Sequence, residues 1–149
     1  MSAEPALTKA QRDDLHTVAA MIIPESLEYK VPGADDAKIQ ADILATLGRD
    51  TKRVAEALDH LARLARKPLA ELDPGRRDAV AKEFRISGGA AAATLTRVVL
   101  QCYYRDDRVV HSLGLELRPP FPKGYPLERG DWSLLDPVKA RPSMWRRVP

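Results

Sequence analysis

The stretch Val98-Val99-Leu100-Gln101-Cys102-Tyr103-Tyr104 decides the fold that the sequence predicts. Together with Leu95, its apolar side chains point in every direction around a helix, which is typical of a helix buried on all sides. We therefore predict a central buried helix over 90–104, around which the bundle packs. The predicted fold class is all-α, a bundle of five to six helices.

Working outward, the rest of the predicted bundle is delimited by helix caps and breaks. Thr8 and Gln11 form a capping-box pattern, Asp50 and Asp73 are placed to cap two later helices, and Asp35 and Asp36 put negative charge at the N-terminus of another. Ser87-Gly88-Gly89 predicts a break before the central helix, with Ala79, Val80 and Phe84 of the preceding helix facing the core. Asp106-Asp107 is interpreted as the start of a short helix ending at Gly114, rather than as an acid pair.

The C-terminal part of the chain has a different composition. From 115 onward the helical period disappears and prolines recur, so we predict a bundle over 1–114 and an irregular proline-rich arm over 115–149. All aromatic residues except Tyr29 and Phe84 lie at or after Tyr103. Large aromatic side chains set among prolines either fold back on the bundle or anchor a partner, and both readings stay open.

Composition excludes several functional classes. The chain has 149 residues, 30% of them charged, and a formal net charge of +3, which fits one domain with a core of its own. The single Cys102 cannot form an intramolecular disulfide.

The apolar stretches fall short of the ~20 residues of a membrane helix. The N-terminus has no export-signal pattern, so we expect a soluble cytoplasmic protein without membrane contact.

No stretch of the sequence predicts a catalytic, cofactor-binding or metal site. His16, His60 and His111 fall on three different predicted helices without metal-ligand spacing. Cys102 lies inside an apolar helix without a nearby base, which favours a buried inert thiol over a nucleophile. Ser87-Gly88-Gly89 follows no strand and has no P-loop lysine, so a phosphate-binding turn is not predicted.

Three groups of residues resemble the signature of the gluconate 2-dehydrogenase subunit 3 family. They are the helix ending in Tyr103-Tyr104, the short helix ending in Leu113-Gly114, and the ribbon Pro119-Pro120-Phe121-Pro122-Lys123-Gly124-Tyr125. Weaker similarity extends to Leu7-Thr8 and Gln11-Arg12, to Ile22-Ile23-Pro24 and to Pro32-Gly33-Ala34. The resemblance thus covers most of the chain between 7 and 125.

The resemblance implies that this chain is a small, non-catalytic subunit of a two-component oxidoreductase. Its partner would be a large flavoprotein dehydrogenase or oxidase of the glucose-methanol-choline class, acting on a sugar, sugar acid or other alcohol. FAD and the catalytic base would belong to that partner, which this chain would stabilise, mature or cover. Many family members carry an export signal, so this sequence departs from them, which suggests a cytoplasmic partner.

The candidate partner interface combines the signature with the aromatic residues of the arm: Tyr103, Tyr104, Pro120, Phe121, Pro122, Gly124, Tyr125, Trp132 and Trp145. The alternative function is a small basic helical module that binds nucleic acid, or a general protein-interaction module. Aromatic residues without clustered lysines argue against nucleic acid. Arg146 and Arg147 near the chain end are interpreted as solvated.

Overall fold

The computed structural model describes residues 6–117, residue 124 and residues 128–142. Within these ranges the chain is helical and has no strand, which confirms the predicted all-α bundle. The chain divides into two compact units, 1–117 and 118–149. The α-helices are α1 Lys9–Ile22, α2 Ala37–Thr46, α3 Thr51–Ala65, α4 Pro74–Ser87, α5 Gly89–Tyr103, α6 Asp107–Ser112 and α7 Asp136–Lys139.

Most helices begin where the sequence predicts a cap. The Thr8 hydroxyl accepts from the Gln11 backbone N–H, and the Gln11 side chain accepts from the Thr8 N–H, completing the capping box. Asp73 caps α4 as predicted, and Asp36, for which only a charge at the helix start was predicted, caps α2; each accepts a backbone N–H of the first turn. These caps satisfy donors that a helix start would otherwise leave unpaired.

The cap predicted at Asp50 is wrong in its chemistry. Asp50 does precede α3, but its side chain makes no hydrogen bond to the helix start. Its Oδ2 instead lies 2.7 Å from Nη2 of Arg97 on α5. The guanidinium lowers the pKa of the Asp50 carboxyl through this hydrogen bond. The residue therefore ties two helices together instead of capping one.

The core of the first unit is built on α3 and α5. α3 makes its most extensive contacts with α5 and α4 and also packs on α1, while α5 further contacts α2. The broad apolar face of α3 explains this, because it presents residues at helical spacing to several neighbours at once. The largest fully buried side chains are Leu15, Ile39, Ile43, Val54, Leu58, Leu61, Leu69, Val80, Leu95 and Val99.

The prediction that the central helix is buried on all sides is wrong. Ala93, Arg97 and Gln101 form an exposed stripe along α5, and Leu100 beside them is only half-buried. Arg97 stays in solvent and pairs with Asp50, while the opposite side of the helix carries the buried Val98 and Val99. Because most residues in this part of α5 are apolar, the sequence did not indicate that one side of the helix is exposed to solvent.

The break between α4 and α5 occurs as predicted, at Gly88. A Cβ at this position would lie 2.7 Å from the carbonyl oxygen of Phe84 and would also meet the Ala92 side chain. Gly89 has a φ of +50°, a left-handed conformation that favours glycine. In α4 itself, Val80 and Phe84 are buried as predicted, whereas Ala79 is exposed.

In the second unit, the arm is not irregular throughout. A 3₁₀ turn over Trp132–Leu135 leads into the single turn of α7, and Asp131 starts it by accepting the Ser133 backbone N–H. The proline at 137 is compatible with this, because its missing N–H is not needed in a first helical turn. Across the described ranges, no helix combines the length and the apolarity that crossing a membrane requires.

Candidate partner interface

The two tyrosines that end α5 have different environments. Tyr103 is 4% exposed and belongs to the core cluster, whereas Tyr104 is 54% exposed. Their rings meet edge to face with centroids 5.2 Å apart, and burial raises the pKa of the Tyr103 hydroxyl. The structure thus places Tyr103 in the chain's own core and leaves Tyr104 as the member of the pair that a partner can reach.

A network of charges fixes the segment that follows the tyrosines. Asp106 is buried and caps α6 by accepting the Arg108 backbone N–H. The Arg108 side chain lies 2.9 Å from Asp106 and 2.7 Å from Asp36 at the start of α2, and Lys38 lies 3.5 Å from Asp106. Hydrogen bonding from Arg108 lowers the pKa of Asp106 to about 2. α6 is thereby fastened to α2 next to the candidate interface.

The chain leaves α6 through a run of exposed leucines. The Gly114 and Leu115 backbone N–H groups donate to carbonyls of α6, and Gly114 has a φ of +72° that closes this helix end. Leu113, Leu115 and Leu117 are all more than half exposed. These leucines are apolar side chains that another molecule can reach on the segment that leaves α6.

In the second unit, the short helical segment 132–139 exposes its apolar side chains. Trp132 is 73% exposed, and Leu134 and Val138 are also largely in solvent. Polar contacts hold the segment's shape, since Asp131 bonds to Ser133 and Lys139 lies 3.1 Å from Asp136. An exposed tryptophan on a hydrogen-bonded turn is the kind of side chain that anchors protein interfaces.

Of the other ribbon and tail positions predicted for the interface, the structure describes only Gly124. Its φ of +65° is a left-handed conformation that favours glycine. Pro120, Phe121, Pro122, Tyr125 and Trp145 lie outside the described residues.

A serine–histidine pair that the sequence did not predict links α3 to α4. His60 Nε2 lies 2.7 Å from Ser87 Oγ, and the Ser87 hydroxyl donates to the Glu83 carbonyl oxygen at 2.9 Å. Which of His60 and Ser87 donates to the other depends on the tautomer of the imidazole. When the Ser87 hydroxyl donates to the Glu83 carbonyl oxygen, His60 donates to Ser87, and the pair fastens the two helices instead of activating a nucleophile.

Cys102 is a buried thiol, as predicted. It is 3% exposed, its Sγ lies 3.4 Å from the Thr46 hydroxyl, and Nη2 of Arg105 lies 3.6 Å away. Burial raises the pKa of the thiol despite these contacts. Arg105 is held instead by Asp42, 2.6 Å from its Nε. The thiolate needed for nucleophilic or metal chemistry is therefore disfavoured.

An apolar groove between α1, α4 and α5 is the main feature that sequence reasoning missed. The α1–α4–α5 groove has a volume of about 1100 Å³. Its lining includes the deeply buried Leu61 and Leu69 and the half-buried Met21, Ile22 and Leu100. The signal in the sequence was the run Ala90 to Ala93, because small side chains at the start of α5 leave space that α1 and α4 do not fill.

Among the described residues, no group of three or more His, Cys, Asp or Glu side chains is arranged to hold a metal ion. His16, His60 and His111 lie on α1, α3 and α6, as predicted. Comparison of the chain with protein-family models, with curated proteins and with solved structures found no match.

Proposed function

We propose that this chain is the small, non-catalytic subunit of a two-component flavoprotein dehydrogenase or oxidase that acts on a sugar or another alcohol. It binds the large subunit and stabilises, matures or covers it, while FAD and the catalytic base reside in that large subunit. The family part of this proposal rests on the resemblance of Tyr103-Tyr104, Leu113-Gly114 and the ribbon 119–125 to the subunit 3 signature.

The observation that carries a binding role is the exposed apolar surface of the segment 132–139. Trp132, Leu134 and Val138 stand in solvent on a turn whose shape is held by hydrogen bonds. A tryptophan buries about 150–250 Å² when it is covered, which makes it a strong anchor for a protein surface. The exposed leucines at 113–117 support the same role in the first unit.

Three arginines of the bundle are not free to bind the phosphates of nucleic acid. Arg97, Arg105 and Arg108 are each paired with a carboxylate, at 2.7, 2.6 and 2.7 Å respectively. Phosphate binding requires cationic side chains that can exchange counterions for phosphates. Arginines that already neutralise aspartates within the bundle contribute little to such binding.

The test begins with the neighbouring open reading frames, one of which we expect to encode a flavoprotein, and continues with co-production of that flavoprotein and this chain. We expect the isolated chain to be colourless and inactive, and the pair to co-purify as a yellow complex with dehydrogenase or oxidase activity. The large subunit produced alone should be less soluble or should retain less FAD, measured by flavin absorbance per protein. A flavin absorption band on the isolated chain, or a large subunit that never associates with it, would overturn the proposal.

A further inference from the structure

The α1–α4–α5 groove lies at the upper end of the size range of small-molecule pockets. Typical small-molecule pockets enclose roughly 300–1,000 Å³, and this groove has a volume of about 1100 Å³. Three helices line it along their sides, with Leu61 and Leu69 at its base. An α-helix with its side chains is roughly 10–12 Å across, and apolar grooves between helices bind such segments through one face.

The charges around the groove have a clear sign. Its lining contains Arg77, Lys82, Arg85 and Arg97 and a single acidic residue, Asp78. Arg97 is paired with the carboxylate of Asp50. Arg77 donates to backbone carbonyl oxygens, including that of Leu72, and because these oxygens carry no net charge they do not compensate the charge of Arg77.

Lys82 and Arg85 form no ion pair with any carboxylate in the part of the chain that the structure describes. They lie one turn apart on the exposed side of α4. The edge of the groove is therefore positive, while its base and walls are apolar.

We infer that the α1–α4–α5 groove receives an apolar segment of the large subunit that is flanked by Asp or Glu residues. This inference rests on the proposed function and adds a second contact, in the first unit, to the aromatic surface of the arm. Apolar side chains of the segment pack against Met21, Ile22 and Leu100. Its carboxylates pair with Lys82 and Arg85 at the edge, which fixes the register of the segment and speeds encounter.

Net charge favours this occupant over the chain's own C-terminal residues. Residues 118–149 contain seven Lys or Arg and only three Asp or Glu, although two of these acids, Asp131 and Asp136, flank the apolar residues at 132–135. The crosslink must therefore tell that segment from a segment of the large subunit. The whole chain has a formal net charge of +3, so a second copy has the same excess sign. An occupant that carries the sign of the groove's edge would repel it, whereas an acidic segment complements it.

The first experiment maps the occupant in the complex with the co-produced flavoprotein. Ala93, an exposed lining residue of α5, is replaced by the photo-crosslinker p-benzoylphenylalanine, with the same replacement at Ile86, outside the groove, as a control. We expect the Ala93 probe to label an apolar large-subunit peptide in which Asp and Glu outnumber Lys and Arg. Labelling of this chain's residues 118–149, of a second copy, or of a basic peptide would overturn the inference. The inference would also be overturned if native mass spectrometry found a lipid bound to the purified chain and the variant Leu100→Asp no longer bound that lipid.

The second experiment measures affinity with variants of the full chain. Leu100→Asp should weaken the complex by roughly thirtyfold, because it places a carboxylate in the apolar wall. The double change Lys82→Glu and Arg85→Glu should slow association by roughly tenfold or more at low salt, less at high salt. The matched control is the double change Lys52→Glu and Arg53→Glu on the exposed side of α3, which should change neither the affinity nor the rate of association.

The outcomes separate this inference from the proposed function. If the unaltered chain forms no complex, the proposed function fails. If the complex forms and the groove variants bind as tightly and as fast as the unaltered chain, the function stands and the groove inference is overturned. The melting temperature of each variant checks that Leu100→Asp folds, and the double charge reversal, confined to exposed positions, decides the matter if it does not.

Discussion

Arg108 at the start of α6 reaches Asp36 at the start of α2, with its Nη2 2.7 Å from Oδ1 of that carboxylate. The two residues are 72 positions apart in the chain. The same guanidinium lies 2.9 Å from Asp106, whose side chain is almost completely buried. One arginine therefore joins the N-terminal ends of two helices, where carboxylates are already stabilised by the helix dipoles.

Removing this arginine should destabilise the bundle. Arg108→Ala leaves the buried Asp106 with only Lys38, 3.5 Å away, as a cationic partner. We expect a loss of about 1–3 kcal/mol in the free energy of unfolding. The value should lie in the lower part of that range, because solvent around Arg108 weakens its ion pairs. Urea denaturation measures it. Lys9→Ala, which removes the exposed pair with Asp13, should change stability by less than about 0.5 kcal/mol.

The same network predicts how stability depends on pH. The pKa of Asp106 in the folded chain is about 2, below its ordinary value of 3.8, chiefly because of the hydrogen bond from Arg108. A lowered folded-state pKa contributes stability above the unfolded-state pKa, and that contribution is lost as the pH falls from 3.8 towards 2. The stability difference between the unaltered chain and Arg108→Ala should therefore shrink between about pH 5 and pH 2. A difference that stays constant over this range would contradict the assignment.

This network also shows where sequence reasoning stops. The cap at Asp106 follows from local pattern, because an aspartate before a short helix accepts a nearby backbone N–H. The bond to Asp36 depends on how α2 and α6 pack, which no local pattern contains. The same holds for Asp50, which has the position of a cap but bonds to Arg97 on α5. The helices could therefore be predicted from the sequence. The ion-pair partners of the long side chains could not, because they depend on how the helices pack.

For the candidate partner interface, the sequence identified residues but not their exposure to solvent. Sequence singled out Tyr103-Tyr104 as a pair, and only the packing of α5 separates the buried ring from the exposed one. The α1–α4–α5 groove has no sequence motif, since it consists of space that three helices leave between them. Small residues at 90–93 hinted at close approach of a neighbour, but the same residues are compatible with a gap.

Two adjacent positions on α5 should respond oppositely to the same substitution. Val99 is 0% exposed, so Val99→Asp buries an unpaired carboxylate and should abolish soluble production. Leu100 faces the groove and is half-buried, so the carboxylate of Leu100→Asp can be hydrated and the chain should stay folded. Far-UV circular dichroism and the soluble yield of each variant measure this. Equal loss in both variants would mean that α5 is enclosed on both sides.

Cys102 should react slowly in the folded chain. Burial raises the pKa of its thiol, so little thiolate is present at neutral pH and reagents reach it only through local opening. We expect labelling by a disulfide reagent to be at least about a hundredfold slower in the native chain than in urea. Immediate labelling of the native chain would contradict the burial of this thiol.

The first unit should fold without the second. Its core residues all lie between 7 and 109, and the chain's contacts divide at 117. A chain ending at Leu117 should therefore retain its helical circular dichroism and a cooperative melting transition. If the arm is an interface, this shortened chain should bind the large subunit more weakly than the full chain. Unfolding of the shortened chain would instead assign the arm to this subunit's own stability.

Trp132→Ala tests the arm without shortening the chain. Trp132 is 73% exposed, so its loss should leave the melting temperature within about 1 °C, because a solvated side chain contributes little to folding. If it anchors the large subunit, the complex should weaken by about 2 kcal/mol or more, seen as an increase in Kd of roughly thirtyfold. Ile86→Ala is the matched control, since Ile86 is 85% exposed on α4 and outside the groove. It should alter neither quantity. If Trp132→Ala binds as tightly as the unaltered chain while Leu100→Asp does not, the contact with the large subunit lies on the helical bundle, and the aromatic surface at 132–139 is not the anchor.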